Sequence, residues 1–402
     1  MKRHRAVYGV GTGINGREAA MQATQRALDQ LGTARPVLAL GFVSQEFNIA
    51  EVLAGLTSLL GETPLWGFTT TCPVTSEGDR PRSVVVALLS GSENQVNVQW
   101  FPAYSQDSAG VARQFVQNLR QDVFLPQQIL LVADGINGSL EPLCSALGSL
   151  PVHVAGCMAA GEPSLGKTYQ IGKNQAGPGS LAAAIFSGGF RVGVGLAHGW
   201  KDLGVYYRAT RTRDVWVQTL DGISAAETYA RLLGYSAREW AFPPLTDMAR
   251  LYPFGVETRA PGSVSPLIET EPESLLIRSA LRVEVDGSLR MSAPVPEGVV
   301  VHMMAGDPDA CLKAAQDAAR QALAGLGRSA KPMLAVVLVD AAWHFLFEAR
   351  PGAVAGALKA VLGELPTVGA YTFGQLARPA LDAPPVLHNQ NIQVLVFGEA
   401  IE

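Results

Sequence analysis

The sequence has few charged residues and lacks the marks of a nucleic-acid-binding or membrane protein. Charged residues make up 16% of the 402 residues, and the formal net charge is -4. No Lys/Arg cluster accompanies exposed aromatic residues, so the electrostatic footprint of a nucleic-acid-binding surface is missing. No run approaches 18 uninterrupted apolar residues, and no apolar signal segment follows the basic residues Lys2 to Arg5. We expect no nucleic-acid partner, no membrane insertion and a cytoplasmic location.

Cysteine is also scarce. Cys72, Cys144, Cys157 and Cys311 lie far apart, with no C-x-x-C pair and no His at ligand spacing. Neither a disulfide framework nor a structural zinc site is expected, and buried reduced thiols are the default interpretation. We predict no metal and no cofactor.

One pattern occurs three times in the chain, at Leu60 to Thr71, Leu147 to Cys157 and Leu362 to Gly374. In each stretch a helix-like apolar run ends at Leu-Gly, and a proline soon afterwards prevents the helix from continuing. A short apolar strand then leads into a glycine followed by small or hydroxyl residues. The repetition indicates an architectural unit rather than an isolated turn.

The segments around these stretches share a predicted order of helix, strand, helix, strand, strand. The predicted elements are 17–31, 37–43, 50–60, 65–70 and 83–89; then 109–119, 128–133, 140–147, 152–157 and 180–187; then 310–326, 333–339, 353–362, 367–371 and 391–397. Three copies of one plan indicate duplication. Each strand-helix-strand core should be a parallel crossover, followed by a hairpin.

Residues 191–306 differ, since they read as a series of strands with one helix at 225–233. Phe242 to Pro272 is rich in proline and turn residues and is predicted to be a long connection. The fold class is therefore mixed α/β, with layered mixed sheets flanked by helices. We predict two domains, 1–190 with two α/β units and 191–402 with the β-rich section 191–306 and the third unit 307–402.

Two glycine-rich motifs resemble nucleotide-binding loops. Gly11 to Gly16 matches G-x-G-x-x-G, but the acidic residue expected at the end of the next strand comes some ten residues late, at Glu46. Gly161 to Thr168 matches the P-loop pattern, but the glycine-rich stretch that follows cannot form the helix that a P-loop needs. A nucleotide-dependent enzyme therefore remains an alternative of low weight.

The candidate site is predicted from strand ends, because ligands of parallel α/β units bind beyond the carboxyl ends of the strands. The polar side chains at or just after those ends are Ser44, Thr69, Thr70, Cys72, Asp134, Asn137, Cys157, Asp340, Tyr371, Thr372 and Gln375. Hydroxyls, amides and carboxylates suit a small polar metabolite. His198, His344 and His388 lie in turns or at strand ends and are weaker candidates for ligand contacts.

Signatures of serine hydrolases and metalloproteases are missing, since the chain has neither G-x-S-x-G nor H-E-x-x-H. No catalytic residue is assigned, and a binding protein is favoured over an enzyme. A thiol hydrolase that uses Cys72 or Cys157 stays open as an alternative. So does a protein-interaction scaffold.

A further set of motifs, in its order along the chain, resembles the FIST family of sensory proteins. The motifs are Gly199 to Gly204, Leu220 to Ala225 with Tyr229, Tyr252 to Gly255, Pro366 to Gly374, and His388 with Asn389. The resemblance spans residues 30 to 398 and implies a FIST N domain followed by a FIST C domain. It also implies a cytosolic signal-transduction module that binds small ligands, amino acids among them, with His388 and Asn389 added to the predicted ligand site.

The chain departs from the family pattern at two positions. Family members often have Ser-Cys-x-x-Arg after the first strand of the C-terminal unit, where this chain has Val339 to Trp343. They often have Gly-Glu where this chain has Gly374 and Gln375. The departures indicate a different ligand or none. Because no kinase, cyclase, receiver or DNA-binding segment is recognisable, signalling would require a downstream partner protein.

Overall fold

The structure, a computed structural model, describes residues 4–91, 95–121, 126–236, 249–258, 275–378 and 381–401. Its helices are α1 (Gly16–Leu31), α2 (Ile49–Leu60), α3 (Ser108–Gln121), α4 (Glu141–Leu147), α5 (Ala225–Leu232), α6 (Pro308–Leu326), α7 (Ala341–Leu346) and α8 (Ala353–Leu362), with a 3-10 turn at Pro163–Leu165. Most of the predicted connection from Phe242 to Pro272 lies outside the described residues.

The strands are β1 (Ala6–Gly11), β2 (Pro36–Ser44), β3 (Leu65–Thr70), β4 (Pro73–Thr75), β5 (Gly78–Asp79), β6 (Val84–Ser90), β7 (Val96–Phe101), β8 (Gln128–Asp134), β9 (His153–Ala159), β10 (Tyr169–Gly172), β11 (Gln175–Pro178), β12 (Leu181–Phe186), β13 (Phe190–Ala197), β14 (Trp200–Arg213), β15 (Trp216–Leu220), β16 (Ile223–Ser224), β17 (Phe254–Val256), β18 (Leu276–Arg278), β19 (Ala280–Val283), β20 (Leu289–Met291), β21 (Val300–Gly306), β22 (Ala330–Asp340), β23 (Thr367–Ala377), β24 (Val386–His388) and β25 (Ile392–Ala400). The mixed α/β class predicted from the sequence is confirmed.

The helix ends follow from local sequence. The Asn48 side chain accepts hydrogen bonds from the first amides of α2, at Ala50 and Glu51, which would otherwise have no helical partner. The same helix ends where Gly61 adopts a φ of 55°, in the left-handed region that a residue with a Cβ avoids. Gly363 ends α8 in the same way, with a φ of 62°.

The chain divides into two compact units. The first contains residues 1–197, 315–387 and 392–402, and the second contains residues 198–314 and 388–391. The third predicted α/β segment therefore lies mainly in the same compact unit as the first two.

The first unit contains two sheets. One has six strands in the order β1-β6-β2-β3-β10-β11. The other has eleven strands, with a main order of β13-β25-β22-β23-β9-β8-β12-β7 and with β4, β5 and β24 attached beside β23. Alternate residues of each strand point to opposite faces, so each sheet offers one face to the other.

The main core of this unit lies between the two sheets. Phe42, Trp66 and Phe68 from the six-stranded sheet belong to the same buried cluster as Leu130 and Val336 from the eleven-stranded sheet. The three aromatic rings pack edge to face, with Phe42 and Phe68 centroids 5.6 Å apart. Helices α1 and α2 cover the opposite face of the six-stranded sheet, where their alanine and leucine side chains form a second buried cluster.

Each of the three predicted segments contains a parallel strand pair: β2 with β3, β8 with β9, and β22 with β23. One helix joins each of the first two pairs, and the two helices α7 and α8 join the third. The last strand of each segment does not form the expected hairpin with the second strand of its pair. Instead β6, β12 and β25 lie antiparallel beside the first strand, respectively β2, β8 and β22. The apolar pattern predicts these strands but not their neighbours, because an all-apolar strand fits beside either partner.

The glycines of the repeated stretches lie inside strands, where they permit a close approach. A Cβ on Gly67 would lie 2.2 Å from the carbonyl oxygen of its paired residue Gly41. A Cβ on Gly369 would lie 1.8 Å from the carbonyl oxygen of Val337, which is its paired residue in β22. A Cβ on Gly156 would lie 2.1 Å from the carbonyl oxygen of Leu131, its paired residue in β8. The glycines are therefore needed for strand packing.

The second unit is built on one sheet, with a main order of β18-β17-β21-β14-β15-β20-β19 and with β16 attached to β15. Its core contains Val217, Tyr229, Phe254 and Met303. The Tyr229 hydroxyl donates a hydrogen bond of 2.6 Å to the carbonyl oxygen of Tyr252. The β-rich middle section predicted from the sequence is therefore a sheet with α5 packed into its core.

Candidate functional site

The candidate site begins with a side-chain pair in the first unit. Tyr371 lies on β23, and Asp79 lies at the end of the short hairpin formed by β4 and β5. Strand β4 pairs antiparallel with β23, which brings the hairpin beside Tyr371. The Tyr371 hydroxyl lies 3.3 Å and 3.4 Å from the two carboxylate oxygens of Asp79, to which it donates.

His344 completes the group from α7. The Asp340 carboxylate accepts a hydrogen bond of 3.0 Å from the Ala342 amide and so caps the start of this helix. The His344 ring packs edge-on against Tyr371, with centroids 4.9 Å apart. Its Nδ1 lies 3.7 Å from Asp79 Oδ2. Three chemically different polar groups thus meet at one place.

These side chains form part of the wall of a cavity of about 120 Å³, which we call the Asp79 cavity. A water molecule needs only about 10–15 Å³ of such space. Tyr371 and Phe347 are almost fully buried, whereas half of the His344 side chain is exposed. The lining residues are Asp79, His344, Phe347, Glu348, Arg350, Pro351, Gly352, Ala353, Val354 and Tyr371. The cavity can hold a small molecule.

Burial dominates the electrostatics of this group. It raises the pKa of Asp79, while the charge of His344 and the hydrogen bond from Tyr371 lower that pKa. Burial, and then the charge of Asp79, raise the pKa of Tyr371 well above its usual value, so the phenol is a hydrogen-bond donor. Burial and then the Asp79 charge raise the pKa of Cys72 to about 12. Both shifts oppose ionisation of Cys72 and Tyr371.

Several strand ends predicted to carry the site do meet across the eleven-stranded sheet. Asp340 is paired with Thr372, Thr372 with Ala159, and Ala159 with Asp134. These residues therefore form one row across four neighbouring strands. The row arises because β23 runs past the end of β22 and pairs with β9 on its other side.

Thr70 connects the six-stranded sheet to this row. Its hydroxyl donates a hydrogen bond of 2.7 Å to the carbonyl oxygen of Tyr371 and accepts one of 3.3 Å from the Cys72 amide. The Tyr371 amide donates to the Cys72 carbonyl oxygen at 3.1 Å. Thr70, Cys72 and Tyr371 are thus brought together, with Thr70 holding the backbone at the Asp79 cavity.

Other predicted site residues bond within the protein at the strand ends. Ser44 Oγ accepts from the Ser83 amide at 3.0 Å, and Thr69 Oγ1 accepts from the Tyr169 amide at 2.9 Å. The Gln375 side chain donates from Nε2 to Thr372 Oγ1 at 2.7 Å. These bonds stabilise the chain at the edge where the strands end.

Asp134 and Asn137 belong to a second polar group. The Asp134 carboxylate accepts from the Thr168 hydroxyl and, at 3.0 Å, from the Asn137 amide. The Asn137 side chain donates to the Gly166 carbonyl oxygen at 2.9 Å. This group fixes the loop before β10. Cys157, in contrast, lies fully buried in the core between the two sheets.

His388 and Asn389 lie in the second unit. The Arg278 guanidinium donates to Asn389 Oδ1 at 3.2 Å. Burial, and then the charges of Arg278 and His198, lower the pKa of His388 to about 3. His388 is therefore neutral in the folded protein at physiological pH.

The structure argues against a dinucleotide at Gly11 to Gly16. The Ile14 amide donates to a Glu18 carboxylate oxygen at 3.1 Å, and the Gly16 amide donates to Glu51 at 3.2 Å. Two carboxylates thus occupy the amides that a pyrophosphate would use. A Cβ on Gly11 would lie 1.9 Å from the Ala19 carbonyl oxygen, so this glycine serves helix packing.

The motif from Gly161 to Thr168 lacks the geometry of a P-loop as well. Its 3-10 turn at Pro163–Leu165 is followed by strand β10 rather than by a helix. The Thr168 hydroxyl, which would contact a magnesium ion in a P-loop, donates to Asp134.

Eight of the ten residues that line the cavity were not predicted from the sequence, among them Asp79 and Phe347. Asp79 is the second residue of the two-residue strand β5, and Phe347 follows α7, which the sequence did not reveal as a helix. The Glu-Gly-Asp turn at Glu77 to Asp79 was the available signal, but only the pairing of β4 with β23 brings Asp79 to Tyr371.

The four cysteines, all within the described part of the chain, are buried and none forms a disulfide. Across the described ranges, no group of three or more His, Cys, Asp or Glu side chains could hold a metal ion. Among the helices that the structure describes, none combines the length and the apolar character needed to cross a membrane.

The fold and the cavity define a mixed α/β protein with a small polar cavity beside a parallel strand pair. Residues 37–223 match the FIST N domain and residues 225–378 match the FIST C domain. The chain belongs to the FIST family, whose domains are associated with signal-transduction sensors. The two matches meet near residue 224, and the predicted domain boundary at residues 190 and 191 stays a prediction.

Other comparisons add little. No curated protein matches the chain. One solved structure, "Structure of PurLQS from Thermotoga maritima", aligns at 11% identity over 99% of this chain and 73% of that one, with a TM-score of 0.24. A TM-score this low carries no argument about fold or function.

Proposed function

We propose that this protein is a sensor that binds a small polar ligand in the Asp79 cavity and reports binding to a partner protein. The observation that carries the proposal is the wall of the cavity, where a carboxylate, a phenol and an imidazole lie within contact of one another. Small-molecule sites combine apolar walls with a few convergent polar groups of this kind.

Both FIST domains contribute to the cavity. Asp79 lies within the FIST N match, and His344 and Tyr371 lie within the FIST C match. A ligand bound to Asp79 would therefore favour the docked position of the β4–β5 hairpin on β23. A change in that position is a physical route by which binding could reach a partner.

The predicted site residues receive different roles in this proposal. Tyr371 contacts the ligand, and Cys72 lies behind it as a neutral thiol. Thr70 holds the Tyr371 backbone, and Asp340 positions His344 by capping α7. The second polar group around Asp134 and Asn137, the core residue Cys157, and His388 with Asn389 are supporting rather than contacting residues.

Amino acids are the ligand class that the family resemblance favours, and small polar metabolites in general suit the cavity. The departures at Val339 to Trp343 and at Gln375 favour a ligand other than that of relatives. We also propose a cytoplasmic location, which the reduced, buried cysteines support. Cell fractionation that recovers the protein only outside the cytoplasm would overturn it.

The test is a thermal-unfolding screen of the full chain with amino acids, amines, hydroxy acids and small amides. A ligand at a hundred times its Kd should add about 2.7 kcal/mol to the free energy of unfolding. Ala353→Phe, which fills the cavity, should abolish that stabilisation. Ala360→Phe, on an exposed position of the same helix, is the matched control and should retain it.

Stabilisation by a ligand that persists in Ala353→Phe would place the binding site elsewhere. No stabilisation by any compound of the screen would contradict the sensor proposal itself. The alternative of a thiol hydrolase is disfavoured, because burial and the Asp79 charge both oppose formation of a Cys72 thiolate.

A further inference from the structure

The deep and outer parts of the Asp79 cavity differ in chemistry. Tyr371 and Phe347 are 2% and 5% exposed and form the inner wall, and the Asp79 side chain is 30% exposed. The side chains of His344, Glu348 and Arg350 lie at the exposed mouth. A ligand therefore meets one carboxylate and two aromatic rings at the deep end.

The deep end favours positive charge. A carboxylate accepts hydrogen bonds from an ammonium group with charge assistance, which makes such bonds shorter and stronger than neutral ones. Tyr371 and Phe347 line the cavity, and the face of an aromatic ring carries partial negative charge that attracts a cation within about 6 Å. An anion placed there would instead face the Asp79 carboxylate, whereas at the mouth the Glu348 carboxylate and the Arg350 guanidinium carry opposite charges.

The Tyr371 hydroxyl holds the Asp79 carboxylate in place by a hydrogen bond. It donates to Asp79 from one side, at 3.3 Å, while His344 Nδ1 lies 3.7 Å from Oδ2. A carboxylate has about four acceptor positions, so the hydrogen bond from Tyr371 and the approach of His344 to 3.7 Å leave capacity for a ligand. The imidazole and the hydrogen bond each lower the pKa of Asp79, but burial has the larger effect and leaves that pKa above its usual value.

We propose that the Asp79 cavity selects small organic amines in their ammonium form, with the ligand nitrogen hydrogen-bonded to Asp79 and packed against Tyr371 and Phe347. This inference rests on the proposed sensor function and names the ligand chemistry of the same cavity. The ammonium group binds at the deep end, and the remainder of the ligand points to the mouth.

The experiment compares cations and anions of similar size by isothermal titration calorimetry of the full chain. The probes are methylammonium, ethylammonium and ethanolammonium, against acetate, propionate and glycolate. At least one amine should bind, and its carboxylate counterpart should bind about 10-fold or more weakly. Glycine, which carries both charges, should bind through its ammonium group and should also depend on Asp79.

The decisive variant is Asp79→Asn, which keeps the shape of the side chain and removes its charge. Amine affinity should fall by about 10-fold or more, because a charged hydrogen bond is lost. Asp317→Asn, at an acid of α6 that is not part of the cavity wall, removes the same charge and should bind amines as the wild type does. Circular dichroism and the melting temperature establish that both variants are folded.

The outcomes separate this inference from the proposed function. If the carboxylates bind and the amines do not, or if Asp79→Asn binds amines with wild-type affinity, the ammonium assignment is overturned while the sensor function stands. Failure of all amines to bind also overturns it, whatever neutral or anionic ligands do. Failure of every compound in both screens would overturn the sensor function as well.

Discussion

The Tyr371 hydroxyl donates to the Asp79 carboxylate although 292 positions separate the two residues in the chain. The bond joins a strand of the C-terminal segment to a hairpin of the N-terminal segment, and it lies in the wall of the Asp79 cavity. Loss of this hydrogen bond should therefore change the pKa of Asp79.

Tyr371→Phe should raise the pKa of Asp79, because the hydrogen bond from the phenol lowers that pKa in the wild type. The measurement is a carbon-detected NMR titration of the Asp79 carboxyl group. Tyr206→Phe, which removes an exposed hydroxyl, is the control and should leave the titration unchanged. An unchanged Asp79 titration in Tyr371→Phe would show that the bond does not persist in solution.

Alkylation of the native protein by iodoacetamide at pH 8 should be slow at Cys72 and Cys311. Burial is the main cause that raises the pKa of each thiol to about 12 from an ordinary value of 9.0. The thiolate fraction at pH 8 should fall by about a thousandfold, and the reaction rate should fall with it. Protein unfolded in urea is the control and should react quickly. Rapid stoichiometric labelling of one native cysteine would revive the thiol-enzyme alternative.

Gly369→Ala should lower the free energy of unfolding. Its Cβ would lie 1.8 Å from the Val337 carbonyl oxygen, so the two strands must move apart. Overpacking of this kind costs about 1–3 kcal/mol. Gly356→Ala, in α8 with nothing near the added Cβ, is the matched control and should raise the free energy of unfolding by about 0.5–1 kcal/mol. If urea unfolding showed the same change in the free energy of unfolding for Gly369→Ala and Gly356→Ala, the role of Gly369 in strand packing would be contradicted.

The lowered pKa of His388 should reduce the free energy of unfolding as the pH falls below 6.5. Its pKa is about 3 in the folded state and 6.5 in the ordinary state, so below pH 6.5 the unfolded chain binds the extra proton. The contribution of His388 to the free energy of unfolding therefore falls as the pH drops from 6.5 towards 3, by at most about 1.4 kcal/mol per pH unit.

The measurement for His388 is urea unfolding at several pH values for the wild type and for His388→Asn. The variant should lose less stability between pH 6.5 and pH 4, because its side chain does not titrate. Parallel pH profiles for the two proteins would show that His388 is accessible to protons in the folded state.

The local elements were largely predictable from sequence. The helix predicted at 353–362 is found at Ala353–Leu362, and the strand predicted at 65–70 is found at Leu65–Thr70. Apolar periodicity and glycine stops act over a few residues, so they can be read without knowledge of the fold. The FIST resemblance, carried by motifs such as Tyr252 to Gly255, is confirmed by the matches to both domains.

The candidate site was predictable in part. The strand-end argument selects Tyr371, Thr70 and Cys72, and the structure brings these three residues together; their role as a ligand site stays a prediction. Asp79 could not be found in this way, since its two-residue strand carries no periodic signal and its position depends on pairing of β4 with β23. The hairpin predicted after each parallel pair was wrong for the same reason, because strand neighbours are decided by long-range packing.

The sequence by itself determined most of the helices, the long buried strands and the three repeated stretches, since each depends on residues that are neighbours in the chain. Only the tertiary structure decided which strands pair, and therefore which polar side chains share a cavity. Gly369 illustrates the division: its position in an apolar stretch predicts a strand, but the need for glycine comes from the Val337 carbonyl on another strand. Asp79, His344 and Tyr371 meet because such pairings bring together three segments that local sequence leaves independent.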